Sequence, residues 1–144
     1  MRRRHRPRGV TFHGRPVVGR GVVFEVAVGA RVTLGDGCVL GDGCRLHVRA
    51  GTVRIGAGAI LGERCVLLAH AGIDVGDRCV LGDEVVLVDV AHRHDDPERP
   101  TRQQALDAAP ISVGAGARLG PRAVVERGVS VPPGATVAAQ TVVR

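Results

Sequence analysis

An aliphatic side chain every six residues constrains this chain more than any other feature. From Val32 the sequence reads V-T-L-G-D-G-C-V-L-G-D-G-C-R-L, with Leu34, Leu40 and Leu46 on the beat. Gly follows the first two, and Cys38, Cys44 and Ala50 stand four residues after each aliphatic. The beat restarts at Ile55, Leu61 and Leu67 and again at Val75, Leu81 and Leu87, with Ala59, Cys65, Ala71, Cys79, Val85 and Ala91 four on. It returns at Val113, Leu119, Val125, Val131, Val137 and Val143. Restarts carry an aliphatic-x-aliphatic-Gly signature, as in Val53-Arg54-Ile55-Gly56, Ile73-Asp74-Val75-Gly76 and Ile111-Ser112-Val113-Gly114. A short period held in register over most of 144 residues marks a solenoid.

Three six-residue units make one triangular coil of roughly 18 residues, each unit a short strand and a turn. Coils stacked at the ~4.8 Å spacing of paired strands turn each flat side into a parallel sheet. The Gly after each inward aliphatic is expected to adopt backbone angles other residues resist, and the small residue to fill a corner. Leu34 to Ile55 spans 21 residues, Ile55 to Val75 spans 20, and Val113 to Val131 spans 18. Val75 to Val113 spans 38, so a surplus of about one coil leaves the prism as a polar loop over about 93–109. Val22 and Val28 continue the beat, which places the start near Pro16. The expected organisation is one all-β domain over 16–144 behind a basic, flexible tail over 1–15.

Composition agrees: 44% hydrophobic residues, 21 Gly, two Phe and no Trp or Tyr describe a narrow interior of small and β-branched side chains. No apolar run approaches the ~18 to 20 residues that cross a bilayer. The stretch after Arg8 contains Gly9, Thr11 and His13 in place of an apolar secretory core, so a cytoplasmic protein is expected. Every one of the 20 basic residues is Arg and the net charge is +6, which suggests an anionic partner. Stacking aromatics and a recognition-helix pattern are missing, so nucleic acid is not expected. A phosphorylated cofactor or sugar nucleotide remains.

The repeat resembles the hexapeptide-repeat acyltransferases, and the resemblance implies a left-handed parallel β-helix. The handedness comes from the resemblance, since the general crossover rule gives the opposite hand. Leu87-Val88-Asp89-Val90-Ala91-His92, followed by His94-Asp95-Asp96-Pro97-Glu98-Arg99-Pro100, is similar to the galactoside, maltose and polysaccharide O-acetyltransferase branch. Ala109-Pro110-Ile111-Ser112-Val113-Gly114 looks like that branch's P-I-x-I-G return, and Thr141-Val142-Val143-Arg144 like its S-V-V-T-[KR] ending. The chain departs from the branch at Arg118-Leu119-Gly120, where W-I-G is usual, and at two acceptor-facing positions, here Gly62 and His70, and the branch's C-terminal extension is expected to be missing.

The resemblance implies acetyl-CoA as co-substrate, a hydroxyl of a sugar or sugar-containing precursor as acceptor, and a homotrimer. A hydroxyl attacks a thioester only when a positioned group takes its proton, and imidazole titrates in the useful range. His92, five residues after Leu87 at the junction of coil and loop, is the expected general base. Asp89 either orients that imidazole or caps a turn. His70 either hydrogen-bonds the acceptor or lies in a surface turn, and His94 is read as solvated. By position, Pro121, Ala139 and Arg144 are expected to meet the cofactor, the arginine through phosphate.

Two rivals come from other classes. A zinc hydrolyase of the carbonic anhydrase type would use His70, His92 and His94, but its H-x4-H spacing is not matched by His92 and His94, and no metal is expected. A noncatalytic β-helix that assembles or recognises a partner is the other. Cys38, Cys44, Cys65 and Cys79 all fall at the small corner position and are expected to be buried, reduced thiols.

Overall fold

The computed structural model describes residues 7–91 and 106–144, together with the backbone of His92. Its strands follow from the alternation of side chains along an extended backbone. In β4 (Arg31–Leu34), Val32 and Leu34 are enclosed while Arg31 and Thr33 face out. β4 belongs to a six-stranded sheet with β1 (Val10–Phe12), β7 (Thr52–Ile55), β10 (Ile73–Val75), β15 (Ile111–Val113) and β18 (Ser130–Val131). A second sheet stacks β2 (Val17–Val18), β5 (Val39–Leu40), β8 (Ile60–Leu61), β11 (Val80–Leu81), β16 (Arg118–Leu119) and β19 (Thr136–Val137). The third stacks β3 (Val23–Val26), β6 (Arg45–Val48), β9 (Val66–Ala69), β12 (Val86–Val88), β17 (Val124–Glu126) and β20 (Val142–Val143). Every pairing within them is parallel, and the result is a left-handed β-helix of about six coils. Like sits on like inside: Leu46, Leu67, Leu87 and Val125 form one inward column.

The corners explain the Gly-Asp pairs of the repeat. Asp36, Asp42, Asp77 and Asp83 each accept, through Oδ1, the backbone N–H of Arg15, Arg20, Ala57 and Glu63 in the coil below, at 2.8–3.0 Å. Each bond satisfies a corner amide and ties two coils together. The preceding Gly is needed for space, which corrects the expectation of unusual angles there. A Cβ at Gly35 would stand 2.5 Å from the Ala57 nitrogen, and one at Gly120 would stand 2.5 Å from the Ala139 nitrogen. The left-handed conformation falls two residues later, at Gly37, Gly43, Gly58, Gly116 and Gly134, and at Arg64, Arg78, Glu84, Arg122 and Gln140 where Gly is replaced.

Two boundaries differ from the sequence reading. The first coil opens at Val10, ahead of Pro16, with Val10 paired to Val32 and Phe12 to Leu34. Phe12, Val18 and Phe24 hold the six-residue beat there, since they align with Leu34, Leu40 and Leu46. Val22 lies four after Val18, and Val28 is 84% exposed, so neither is on the beat. Residues 1–6 of the expected tail lie outside the described residues. The surplus segment starts as a stem, not a plain loop: β13 (Val90–His92) pairs antiparallel with β14 (Leu106–Ala108), His92 opposite Leu106. Residues 93–105, including His94, lie outside the described residues. Among the described residues no helix is long and apolar enough to cross a membrane.

All four cysteines are free and 0% exposed, at the corners where the repeat puts a small residue. Three of the thiols donate to corner carbonyls of the next coil: Cys44 to Gly62 at 3.1 Å, Cys65 to Gly82 at 3.2 Å and Cys79 to Gly114 at 3.0 Å. Burial pushes the Cys38 thiol up to about 11 and raises Cys79 as well. Cys44 and Cys65 share a hydrogen bond on neighbouring coils. The neighbouring Cys44 and burial raise the Cys65 thiol above the ordinary range, while the neighbouring Cys65 lowers that of Cys44.

Candidate functional site

The prism is regular until Asp89, where the chain leaves it. Asp89 is fully buried, and its carboxylate accepts three backbone N–H groups from the coil below. Oδ1 accepts from His70 at 2.7 Å, and Oδ2 accepts from Ala71 at 2.8 Å and Gly72 at 2.7 Å. The chain returns at Ala109, whose N–H donates to the Asp89 carbonyl at 3.0 Å, and Ile111 then donates to the Gly72 carbonyl. From the coil above, Arg127 pairs with Asp107 of β14 at 3.1 Å, and Gly128 donates to the Ala109 carbonyl. The stem that ends in His92 is therefore held from both neighbouring coils. Sequence reasoning missed Asp107 and Arg127, because their pairing depends on the antiparallel register that sets Asp107 opposite Ala91.

His70 stands at the corner directly below this exit. Its residue is half-buried, and its Nδ1 is enclosed without a hydrogen-bond partner. An unpaired buried imidazole nitrogen costs stability on the order of 1–3 kcal/mol, which is the kind of cost found at functional sites. Beside the stem, Val88, Val90, Ala91, Glu126 and Arg127 line a concavity of about 160 Å³. Arg144 lies one coil above Glu126 and approaches it, Nε to Oε1, at 3.9 Å.

The other site residues from the sequence group elsewhere. Gly62, Pro121 and Ala139 lie along the opposite edge of the third sheet, at the corner between its strands and those of the second. The Gly62 N–H donates to Leu81, and Pro121 offers its carbonyl to Gln140 at 2.9 Å. Ala139 closes over Gly120. The same edge carries Arg64, Glu84 and Arg122 on successive coils, with Glu84 3.7 Å from Arg64 and 3.6 Å from Arg122. Gly62 and His70 thus occupy opposite ends of β9 and do not converge within one chain. A strand of four residues separates the two edges by roughly 13 Å at ~3.3 Å per residue. Between them the outer face is apolar across β9, β12 and the start of β17, with Val66, Leu68, Val86, Val88 and Val124 half-buried. Among the described residues no three His, Cys, Asp or Glu side chains converge on a metal position. The trio behind the zinc reading includes the His92 side chain and His94, which lie outside them.

A three-faced parallel prism with Gly-Asp corners and one excursion defines the hexapeptide-repeat class. The family model described as the hexapeptide repeat of succinyl-transferase matches residues 52–87 and 110–144, and the chain belongs to that hexapeptide-repeat family. Among curated proteins it is 27% identical over 137 residues to a probable acetyltransferase of Mycobacterium tuberculosis, covering 95% of this chain and 42% of that protein. It is 35% identical over 79 residues to nodulation protein L of Rhizobium leguminosarum bv. viciae, covering 54% of this chain and 40% of that protein. The chain therefore spans about two fifths of the length of these relatives. Among solved structures, a hexapeptide-repeat acetyltransferase of Vibrio cholerae in complex with acetyl coenzyme A superposes with a TM-score of 0.65 at 19% identity, covering 87% of this chain and 61% of that one. A variant of an N-acyltransferase from Bacillus cereus, in complex with dTDP and coenzyme A, superposes at 0.68 with 16% identity, covering 89% and 72%. These likenesses establish the shared fold.

Proposed function

We propose that the chain is a coenzyme A-dependent acyltransferase that moves an acetyl group from acetyl-CoA to a hydroxyl of a sugar or sugar-containing precursor. The observation that carries this reading is the break in the prism at Asp89, a clamped stem that leads to His92 and leaves from above the corner of half-buried His70. The relative named as a probable acetyltransferase supports it, as does the neighbour in complex with acetyl coenzyme A. His92 acts as general base: it takes the acceptor proton as the hydroxyl oxygen attacks the thioester carbonyl. The tetrahedral adduct then expels the coenzyme thiolate, which takes up a proton, with no covalent enzyme intermediate. Holding both substrates together provides much of the acceleration.

The coenzyme fits the edge at Pro121, Ala139 and Gly120, where small residues let a ligand lie close to backbone and the Arg64 and Arg122 guanidiniums can meet phosphate. Arg144 serves the same end from the opposite edge. His70 and Gly62 serve the acceptor. Because the two edges stand a strand apart, a neighbouring prism brings them together, and a homotrimer built on the apolar third face meets that need. Reduced, buried thiols and acetyl-CoA as donor fit the cytoplasm. The test is release of free thiol from acetyl-CoA in the presence of a panel of sugars and sugar nucleotides. Acceptor-dependent release supports the reading; binding of a partner without any release would make the chain a noncatalytic β-helix.

A further inference from the structure

In the lower coils, the first amide of the corner after the third sheet donates to a carbonyl one coil up: Ala27 to Val48 and Arg49 to Ala69, both at 2.8 Å. At His70 that rung is broken, because the chain above turns out of the prism at Val90 and the Asp89 carbonyl is taken by Ala109. The His70 amide thereby loses its ladder partner, and it and the next two amides of this half-buried corner, Ala71 and Gly72, face the gap. The Asp89 carboxylate accepts all three at 2.7–2.8 Å while staying 0% exposed. A carboxylate has about four lone-pair sites, and three of them are committed here.

We infer that Asp89 is a positioning residue for the transfer reaction, which rebuilds the missing rung of the prism and thereby fixes the stem bearing His92 and the corner bearing His70. It acts through the main chain, in place of the tautomer-fixing contact considered above. The inference rests on His92 being the base, and the experiment separates the two. The Asp89 side chain binds the coil below, its carbonyl binds the returning strand, and three residues of extended chain lead from it to His92. Loosening the carboxylate therefore loosens the corner and the stem as one unit.

Asp89→Asn keeps the shape but turns one acceptor oxygen into a donor facing an N–H. Loss of a charge-assisted bond inside the prism corresponds to about 10- to 100-fold in a local opening equilibrium. Amide hydrogen exchange should accelerate by that factor at residues 70–72, 90–92 and 106–109, and remain unchanged in the first two coils. Turnover should fall by a similar factor with the acetyl-CoA KM within about twofold and the apparent pKa of the pH–rate profile unmoved. Exchange that accelerates at 70–72 but not in the stem would overturn the proposal. So would a moved kinetic pKa with protection intact, because the carboxylate would then act on the imidazole directly. Should Asp89→Asn fail to fold, the wild type decides: residues 70–72 and Ala109 should share one exchange rate within a few-fold, and independent rates refute the coupling. His92→Ala with undiminished turnover would remove the base assignment while leaving the exchange result standing, so the two failures are distinct.

Discussion

Leu67 is the sharpest probe of the prism. Its side chain is fully enclosed and sits between Leu46 and Leu87 in the inward column of the third sheet. Truncation to Ala removes apolar contacts on two neighbouring coils and leaves a cavity, and such changes cost about 2.7–5 kcal/mol depending on how far the site collapses. Here collapse is opposed by ladders that fix the coil spacing at ~4.8 Å, so the cost should lie in the upper half, at about 4 kcal/mol. With a urea m-value of about 2 kcal/mol/M for a chain of this size, the unfolding midpoint should drop by about 2 M. Val143→Ala makes the comparison, since Val143 is half-buried in the last coil and pairs with Val125 from one side only. It should cost about 1 kcal/mol, in the range of a small, partly collapsible deletion. Equilibrium urea unfolding followed by circular dichroism reads both. A loss below about 1.5 kcal/mol for Leu67→Ala, or equal losses for the two, would refute the rigid-column argument.

Three further outcomes follow from the corners and faces. A thiol reagent should label none of the four cysteines in the native protein and all of them after unfolding; fast native labelling of Cys44 and Cys65 would overturn the register. The chain has no Tyr and no Lys, so thiols dominate titration between pH 9 and 11. With the Cys38 thiol raised from 9.0 to about 11 on folding, its contribution is intact below pH 9 and is lost as pH rises to 11. Denaturant unfolding should show that alkaline loss, and Cys38→Ala, the residue already present at Ala59 and Ala117 in the same corner, should reduce it. In light scattering the proposed trimer should appear at three times the 15.0 kDa chain mass. Val86→Asp on the apolar third face should shift it to monomer, and a wild type that is monomeric would remove the composite site.

The six-residue beat made the inward columns of the second to sixth coils legible, because one aliphatic per side is what a three-sided prism demands. The first coil was hidden: Phe12 and Phe24 take the inward seats there, and an aliphatic-only pattern passes over them. The corner glycines were recognised for the wrong reason, since close approach of the next coil is a tertiary fact that sequence spacing does not display. The exit of the chain from the prism just before His92 was legible from the surplus in the repeat. The three amides on Asp89 were not, because which N–H groups lose their partners depends on where the chain leaves the ladder. The placement of Gly62 and His70 at opposite ends of β9 was likewise invisible until the corners were in three dimensions.

The central claim is that His92 removes the acceptor proton. Turnover of His92→Ala and His94→Ala, measured as thiol release with an acceptor the wild type uses and paired with acetyl-CoA affinity by calorimetry, tests it most directly. Loss of a general base lowers the rate by about 10²- to 10⁴-fold, so His92→Ala should lose turnover by that factor while binding acetyl-CoA as the wild type does, and His94→Ala should keep most of its activity. Near-wild-type turnover in His92→Ala, or greater damage from His94→Ala, would contradict the account.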